Sequence, residues 1–299
     1  MAKKNKRNIH GILLLDKPSG IGSNKALQQV KHSLQAKKAG HTGSLDPLAS
    51  GLLPLCFGEA TKISQYLLES NKTYQVTAKL GIKTDSADSD GEIVESQTVP
   101  DFDEATLRQV LNSFLGDSEQ IPPMYSALKV DGQRLYKLAR KGKVIERKPR
   151  AIHISKIKLI DLTKDSISFQ VTVSKGTYIR SLVEDLAAEL GTVGHVTVLR
   201  RIGVSPFMNP EMHELDAFLD LADEHKQACL ISIESALGHW PQIQLDDAQS
   251  QDLQHGKPVQ TAETRTLDPV LVVDSQAKAL AIGEVGASGV LKSKRLFVF

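Results

Sequence analysis

The sequence lacks several features that identify whole classes of protein. No apolar run approaches the ~18 to 20 residues of a membrane helix, and the basic start Met1–Arg7 is not followed by the apolar stretch of a signal peptide. The 299 residues include two cysteines and no Cys-x-x-Cys or His-Glu-x-x-His pattern, which excludes a disulfide framework and a local metal signature. Low-complexity tracts are absent as well. We therefore expect a globular cytoplasmic protein with reduced thiols.

Charge is distributed unevenly along the chain, although the net charge is only +2. Residues 1–40 carry nine Lys or Arg against one acid, and the stretch Lys129–Arg150 carries nine against two, whereas the chain from Ser205 onward carries seven against fourteen. Clustered cations are typical of proteins that bind a phosphate backbone. A floppy, solvated tail is the alternative for Met1–Arg7. The leucines interleaved with the second basic block indicate an ordered element.

Hydrophobic periodicity predicts strands and helices in alternation up to about residue 240. The predicted strands are Ile12–Leu15, Thr73–Leu80 and Ile167–Val173; the predicted helices lie near 24–34 with Ser23 as N-cap, from Glu59, around 107–114 before Gly116, and near 179–190 before Gly191. The segment Gly40–Gly58, with four glycines and two prolines, is predicted to be one long loop. From Gln242 onward, short apolar runs at Val270–Val273, Ala279–Ile282 and Leu296–Phe299 predict a small β-rich domain.

Asp46 is the candidate catalytic group of the long loop. Pro47 biases Asp46 toward an extended backbone, while Gly43 and Gly51 permit sharp turns on either side. An aspartate in this setting can be a nucleophile, a general base or an Asx-turn residue, and the pattern alone favours the turn. The loop lacks the Lys-Ser/Thr ending of a phosphate-binding P-loop, and it has no Gly-x-Gly-x-x-Gly pattern. The sequence therefore contains no motif that would indicate nucleotide hydrolysis or dinucleotide binding.

Five blocks of sequence, in a fixed order, carry a family resemblance. They are Gly11–Gly20 (GILLLDKPSG), Gly40–Pro54 (GHTGSLDPLASGLLP), Lys72–Tyr74 (KTY), Gln120–Lys129 (QIPPMYSALK), and Lys175–Leu182 (KGTYIRSL) with Leu199–Arg201 after it. Together they cover about residues 9 to 203 and resemble the bacterial TruB family of tRNA pseudouridine synthases. The C-terminal part, with Leu253–Val259, resembles more loosely the small RNA-binding PUA domain that follows in this family.

The resemblance implies an enzyme that isomerises uridine to pseudouridine in the T loop of tRNA, at the position conventionally numbered 55. The reaction breaks the N1 glycosidic bond, turns the uracil, joins C5 to C1′ and removes the C5 proton. It needs no redox cofactor and no metal. The implied partner is the T arm and T loop of tRNA. No membrane association is expected, and the protein is expected to be monomeric.

The same resemblance implies an α/β (α+β) pseudouridine synthase fold, in which helices flank a mixed, largely antiparallel sheet. The expected organisation is a basic tail at 1–8, a catalytic domain at 9–241 and a β-rich PUA-like RNA-binding domain at 242–299. An insertion at about 122–150, which contains the second basic block, is expected to clamp the T arm.

The family's functional residues can be transferred to matching positions. Asp46 corresponds to the catalytic aspartate and Arg180 to its arginine partner, which would keep the carboxylate charged. Tyr74 corresponds to the aromatic that stacks on the target uracil, and its phenol is a candidate acceptor of the C5 proton. His41 corresponds to a residue that fills the space left by the flipped nucleotide. Tyr178 and Leu199 correspond to residues that line the uracil pocket.

Structural alternatives exist for three of these residues, and two other functions compete. Tyr74 shares a strand face with apolar residues, Leu199 suits an ordinary core, and Arg180 could make a surface contact. The chain could be a non-catalytic RNA-binding protein, for which Asp46 would be dispensable. It could also be a nucleoside hydrolase with Asp46 as nucleophile, although retaining glycosidases use two carboxylates ~5 to 5.5 Å apart and the loop supplies one.

Overall fold

The computed structural model describes residues 6–130 and 132–299, so residues 1–5 of the predicted basic tail lie outside the described residues. Before residue 240, the described part of the chain forms one large sheet and two small hairpins. The strands are β1 (Gly11–Lys17), β2 (Ala39–His41), β3 (Ser50–Phe57), β4 (Lys72–Leu80), β5 (Ile82–Thr84), β6 (Ile93–Ser96), β7 (Gly116–Gln120), β8 (Lys129–Val130), β9 (Gln133–Arg134), β10 (Arg150–Leu162), β11 (Ser166–Val173), β12 (Gly194–Val204), β13 (Phe207–Met208) and β14 (His213–Glu214).

The large sheet has the order β14-β1-β3-β12-β4-β11-β10-β7, with β2 paired to β3 and β13 to β12. Among the described residues, only the β1–β14 and β3–β12 pairs of this sheet are parallel, which confirms the predicted mixed, largely antiparallel sheet. The helices are α1 (Ser23–Ser33), α2 (Ser64–Glu69), α3 (Glu104–Ser113), α4 (Leu135–Ala139), α5 (Ile179–Glu189), α6 (Leu215–Asp220), α7 (Asp223–Ala228), α8 (Ile233–Ala236) and α9 (Asp247–Gln254), with a 3-10 helix at Gly58–Lys62.

The prediction of one long loop at Gly40–Gly58 is wrong at both ends. β2 and β3 occupy 39–41 and 50–57, and seven of the eight residues of β3 are buried. A strand covered on both faces shows no polar alternation, and its Gly51 and Pro54 are typical of loops, so the sequence signal for a strand was hidden. The true loop is the short stretch 42–49, which carries Asp46.

Side chains of the large sheet pack on both of its faces. Leu13 and Leu53 join the core that also contains Leu27 of α1, Leu107 of α3 and Leu182 of α5. The alternate residues of β1 and β3 face a second cluster on the opposite side of the sheet. The sheet is therefore covered on both of its faces.

The C-terminal residues form a second, five-stranded sheet in the order β15-β17-β18-β19-β16. Its strands are β15 (Gln242–Gln244), β16 (Val259–Gln260), β17 (Leu267–Val273), β18 (Ala279–Val285) and β19 (Val290–Leu296). The small β-rich part that the sequence predicts is thus present, but its last strand is Val290–Leu296 and not Leu296–Phe299. Within the described residues, no helix combines the length and the apolar character needed to cross a membrane.

The two sheets share a hydrophobic cluster. Leu271, Ile282 and Phe297 of the C-terminal part pack with Ile12 of β1 and Leu52 of β3. Lys62 Nζ also donates a hydrogen bond of 2.7 Å to the Leu296 carbonyl across the same boundary. The buried face of β1 and β3 therefore depends on the C-terminal sheet for its cover.

Candidate active site

A cavity of about 290 Å³ opens where the Asp46 loop meets the start of α5. Loop 43–46, strands β4 and β12, the segment 126–127 and the turn before α5 all contribute to its wall. The lining residues are Gly43, Ser44, Leu45, Asp46, Leu68, Lys72, Tyr74, Ser126, Ala127, Val173, Ser174, Gly176, Thr177, Tyr178, Ile179, Arg180, Leu199 and Arg201. Five of the six residues that the sequence analysis selected are among them.

Asp46 and Arg180 form an ion pair in this cavity. The distance between Arg180 Nη2 and Asp46 Oδ2 is 3.0 Å, and the Asp46 side chain is 43% exposed whereas that of Arg180 is 5% exposed. Arg180 also donates hydrogen bonds to the carbonyls of Ser86 at 2.8 Å and Tyr125 at 2.7 Å, and its Nη1 lies 3.7 Å from Asp88 Oδ2. The guanidinium is thus fixed by buried acceptors and presents one face to the accessible carboxylate.

Although 43% of the Asp46 side chain is exposed, its pKa is raised above the ordinary value, because the surrounding protein desolvates the carboxylate more strongly than Arg180 stabilises its charge. Asp88 and Asp90 raise that pKa further, and Lys17 lowers it. The expected arginine partner is therefore present, but it lowers the pKa of Asp46 by less than desolvation raises it. Raised carboxyl pKa values at a cavity with a fixed charge partner are typical of functional sites.

The block around Lys17 holds the Asp46 loop. Lys17 is fully buried and its Nζ donates to the carbonyls of Pro18 at 2.8 Å and Ile21 at 2.6 Å, with the Pro47 carbonyl at 3.5 Å. Burial lowers the pKa of Lys17 to about 8. A buried ammonium bonded to carbonyls from both segments fixes the loop relative to β1, which stabilises the position of Asp46.

Ser23 contributes to the same attachment, although not as the predicted N-cap of α1. The helix begins at Ser23 itself, and Gly22 is the capping residue without a side-chain bond. The Ser23 hydroxyl instead accepts a hydrogen bond of 2.7 Å from the Leu45 amide and donates one of 3.1 Å to the Leu45 carbonyl. The predicted cap was wrong because the long-range partner next to Asp46 replaces the local one.

Arg201 of β12 fixes the other side of the loop. It is 1% exposed, and it donates to the Leu52 carbonyl from Nε at 2.7 Å and to the Gly43 carbonyl from Nη2 at 3.1 Å. Gly51 has a φ of +96°, and a Cβ at that position would overlap the Arg201 backbone. A glycine is therefore required where β3 passes β12.

The aromatic and apolar residues of the cavity lie on three different elements. Tyr74 is half-buried on β4, where Val76 and the next alternate residues continue into the core. Leu199 faces the cavity from the adjacent strand β12, opposite Val76 in the pairing register. Tyr178 is the N-cap residue of α5, two positions before Arg180. The predicted strand, tight turn and helix around Arg180 are confirmed.

His41 is the one predicted site residue that does not line the cavity. It ends β2, and its Nδ1 is buried without a hydrogen-bond partner in the described part of the chain. Burial and the nearby Arg201 lower the pKa of His41, so its neutral form is favoured. Within the same residues, no group of three or more His, Cys, Asp or Glu side chains is arranged to hold a metal ion.

Several contributing residues received no role from the sequence. Lys72 is buried in the cavity wall, where its Nζ donates to the carbonyls of Leu67 at 3.1 Å and Leu68 at 2.6 Å at the end of α2; burial lowers its pKa to about 8. Lys17, Arg201 and Ser126 are likewise buried at the site. All four lie in the five sequence blocks, but a single sequence contains no signal for which of its polar side chains the fold buries.

Part of the block Lys129–Arg150 is ordered, as its interleaved leucines predicted: among its described residues, strands and a helix occupy 129–130 and 133–139, whereas 141–149 form no helix or strand. β8 and β9 pair, α4 follows, and Leu135 and Leu138 are buried. Eight of its nine cations are exposed, and none of the nine forms an ion pair with another described residue. The amide of Tyr136 donates a hydrogen bond of 3.0 Å to the Ser126 carbonyl in the cavity wall. This basic surface is therefore joined directly to the cavity.

Comparison with family models gives three matches that together span most of the chain. Residues 31–179 match the TruB family pseudouridylate synthase (N terminal domain), and residues 180–238 match the tRNA pseudouridylate synthase B C-terminal domain. Residues 241–297 match the model described as Pseudouridine synthase II TruB, C-terminal. The boundary between the second and third matches falls where the large sheet's region gives way to the C-terminal sheet.

Curated relatives and a solved structure are similar over nearly the whole chain. The chain is 47% identical to the tRNA pseudouridine synthase B of Stutzerimonas stutzeri (strain A1501), over 98% of this chain and 97% of the relative. It is 46% identical to the protein of that name from Francisella philomiragia subsp. philomiragia, over 99% and 97%. A chain in the crystal structure of a Cbf5-Nop10-Gar1 complex is 25% identical with a TM-score of 0.75, covering 97% of this chain and 85% of that one.

Proposed function

The chain belongs to the TruB family of pseudouridylate synthases, and we propose that it isomerises uridine to pseudouridine at position 55 in the T loop of tRNA. The observation that carries the proposal is the Asp46–Arg180 pair, with an accessible carboxylate in a cavity that two tyrosines and a leucine also line. That arrangement combines one reactive carboxylate with flat and apolar walls suited to a single base.

The carboxylate of Asp46 acts where the base joins the sugar. The N1–C1′ bond breaks, the uracil turns, C5 bonds to C1′, the C5 proton leaves and N1 gains a proton, so that substrate and product have the same atoms. Arg180 favours the charged form of Asp46, and it does so without moving because buried carbonyls hold its other nitrogens. Tyr74, on the wall of the cavity, stacks on the extruded uracil, and its phenol oxygen takes the C5 proton while the phenol's own proton passes to water, which in turn supplies the proton that N1 gains.

Extrusion of the base has a cost, which contacts in the cavity offset. Stacking on an aromatic side chain is worth ~1 to 3 kcal/mol per base, comparable to the few kcal/mol of unstacking. Tyr178 and Leu199 line the pocket around the ring. His41, neutral and outside the cavity wall, fills the gap that the extruded nucleotide leaves in the T loop of the RNA.

The basic block and the C-terminal sheet bind the rest of the RNA. The exposed cations of Lys129–Arg150 lie on an element bonded to the cavity wall, so this insertion clamps the T arm while its target base occupies the cavity. The C-terminal part, 242–299, acts as a PUA-like RNA-binding domain behind the catalytic domain, 9–241. The enzyme works as a cytoplasmic monomer.

The hydrolase alternative has a specific structural difficulty. Asp88 is the second carboxylate near Arg180, but it is buried and does not line the cavity. A retaining glycosidase needs its second carboxylate beside the scissile bond. Asp88 instead accepts a hydrogen bond from the Ser86 hydroxyl at 2.5 Å, so it supports the arginine from behind.

The test is a product assay on unmodified tRNA and on a T-arm stem-loop. The protein should convert the target uridine to pseudouridine without releasing free uracil, and Asp46→Asn should abolish conversion while RNA affinity changes by no more than a few fold. Asp165→Asn, which removes a carboxylate paired with Lys79 away from the cavity, is the matched control and should keep full activity. Free uracil, or turnover by Asp46→Asn, would contradict the proposal.

A further inference from the structure

Ser126 is a buried hydroxyl in the cavity wall for which the mechanism above has no role. It is 4% exposed, it lines the cavity, and its Oγ has no hydrogen-bond partner among the described residues. A buried hydroxyl without a partner costs free energy in the unliganded protein, and a ligand that supplies a partner recovers it. The position is therefore suited to a polar atom of the substrate.

The backbone around Ser126 is held on both sides. The Tyr125 carbonyl accepts a 2.7 Å hydrogen bond from Arg180 Nη2, the atom that lies 3.0 Å from Asp46 Oδ2. The Ser126 carbonyl accepts a 3.0 Å bond from the Tyr136 amide of α4. Ser126 thus directly follows Tyr125, whose carbonyl bonds the arginine that pairs with Asp46. Because its backbone is held on both sides, its hydroxyl can move only by rotation about the Cα–Cβ bond.

The Tyr178 phenol is the polar group next to Ser126. Burial raises the pKa of this phenol, and the neighbouring Ser126 hydroxyl opposes that effect. The two hydroxyls do not, however, meet the geometry of a hydrogen bond. Both therefore remain able to bond a ring placed between the cavity walls.

We propose that the Ser126 hydroxyl donates a hydrogen bond to a ring carbonyl of the extruded uracil and so helps to hold the ring in the cavity. The proposal rests on the proposed function, since it assumes that a uracil occupies the cavity. A buried hydroxyl that gains its partner from the ring stabilises the bound base, because the new hydrogen bond replaces an unpaired polar group.

The chemistry of the reaction makes a carbonyl contact useful in both halves of the cycle. Turning uracil about the axis through N3 and C6 exchanges N1 with C5, as the reaction requires, and it also exchanges the C2 and C4 carbonyls. A hydroxyl that meets one carbonyl before the turn meets the other carbonyl after it.

The experiment compares wild type with Ser126→Ala on T-arm stem-loops that carry uridine, 2-thiouridine or 4-thiouridine at the target. Sulfur is a weak hydrogen-bond acceptor. Ser126→Ala should lower kcat/KM for uridine by about tenfold, the effect of one buried hydrogen bond. Each thio substitution should reduce kcat/KM more in wild type than in Ser126→Ala, because the variant has no bond left to lose. Thio penalties that are equal in the two enzymes at both positions overturn the proposal.

Ser250→Ala is the matched control. Ser250 lies on α9 and is also more than nine-tenths buried with an unpartnered Oγ, and its removal should change neither kcat/KM nor the thio penalties. Ser126→Ala should leave Tm unchanged or raise it, whereas a fall in Tm would indicate a structural role and overturn the proposal. Wild-type turnover of uridine tests the proposed function by itself, so the two failures can be told apart.

Discussion

The side-chain amide of Gln120 makes two hydrogen bonds to the backbone of Tyr178. Gln120 Nε2 donates to the Tyr178 carbonyl at 3.1 Å, and the Tyr178 amide donates to Gln120 Oε1 at 2.7 Å. Gln120 ends β7 and is buried, while Tyr178 precedes α5. This pairing fixes the turn before α5, which presents Tyr178 and Arg180 to the cavity.

Replacing Gln120 by methionine should therefore affect stability and catalysis together. The variant keeps the shape of the side chain but leaves the Tyr178 amide unpaired, at roughly 1 to 3 kcal/mol for such a group, whereas the Tyr178 carbonyl keeps its 3.1 Å bond from the Leu182 amide. Chemical denaturation should show a loss of about 2 kcal/mol in the free energy of unfolding, and kcat should fall because Arg180 is less firmly placed. Gln97→Met, which removes an exposed amide bonded to Glu95, should change neither quantity. Wild-type stability in Gln120→Met would contradict this account.

The acidic limb of the pH–rate profile should respond to Asp88. In the proposed mechanism Asp46 acts in its ionised form, so kcat should fall as the pH drops through its raised pKa. Asp88 raises that pKa through its negative charge, and Asp88→Asn should therefore move the limb to lower pH. Asp90→Asn should move it in the same direction by less, because the Asp90 effect is smaller. Single-turnover rates on a saturating stem-loop provide the measurement, and a shift to higher pH would refute the assignment.

Tyr74→Phe separates stacking from proton transfer. The phenylalanine ring keeps the aromatic face, so the dissociation constant for T-arm RNA should stay within a few fold of wild type. Because the proposed mechanism makes the phenol the acceptor of the C5 proton, turnover should fall by at least ~100-fold. This factor is the lower end of the usual contribution of a general base. Wild-type turnover in Tyr74→Phe would show that another group accepts the proton, and Tyr136→Phe, outside the cavity wall, serves as the control.

Salt dependence tests the basic block. Each phosphate contact contributes about 0.9 to the slope of log K against log salt on duplex nucleic acid, so neutralising one contacting cation should reduce the slope by about that amount. Lys137→Gln and Lys141→Gln change exposed members of the block, and Lys164→Gln changes an exposed lysine in the β10–β11 turn as a control. Equal slopes for all three variants would mean that the block does not contact the RNA.

The sequence predicted those parts of the fold whose signal is local. The clean alternation of Thr73–Leu80 gave β4, and the helical spacing before Gly191 gave α5. It failed for β3, which is buried on both faces, and it did not predict β10 or β12. β10 carries two register shifts and exposed polar residues, features that interrupt the period on which a strand prediction depends.

The candidate site shows the same division. Asp46 and Arg180 could be paired in advance because a family resemblance supplied both positions, and the structure brings them to 3.0 Å. Lys17, Arg201 and Gln120 could not be given roles, since each acts by bonding backbone atoms that are distant in sequence. The family resemblance therefore identified the reactive side chains, whereas the residues that hold them in place became apparent only from their contacts in the structure.

Gly51 provides the sharpest test of how the Asp46 loop is positioned. In Gly51→Ala, at a φ of +96°, the new Cβ would lie 2.9 Å from the Arg201 amide nitrogen and closer still to the Arg201 carbonyl oxygen. The backbone of β3 and β12 cannot give way as a flexible side chain would, so the free energy of unfolding should fall by roughly 3 kcal/mol or more. Gly20→Ala is the matched control, because its φ of +85° imposes similar strain but nothing lies within 4 Å of the added carbon; its cost should stay near 1 kcal/mol. If denaturation gives equal losses for the two variants, contact with Arg201 is not what requires a glycine at position 51.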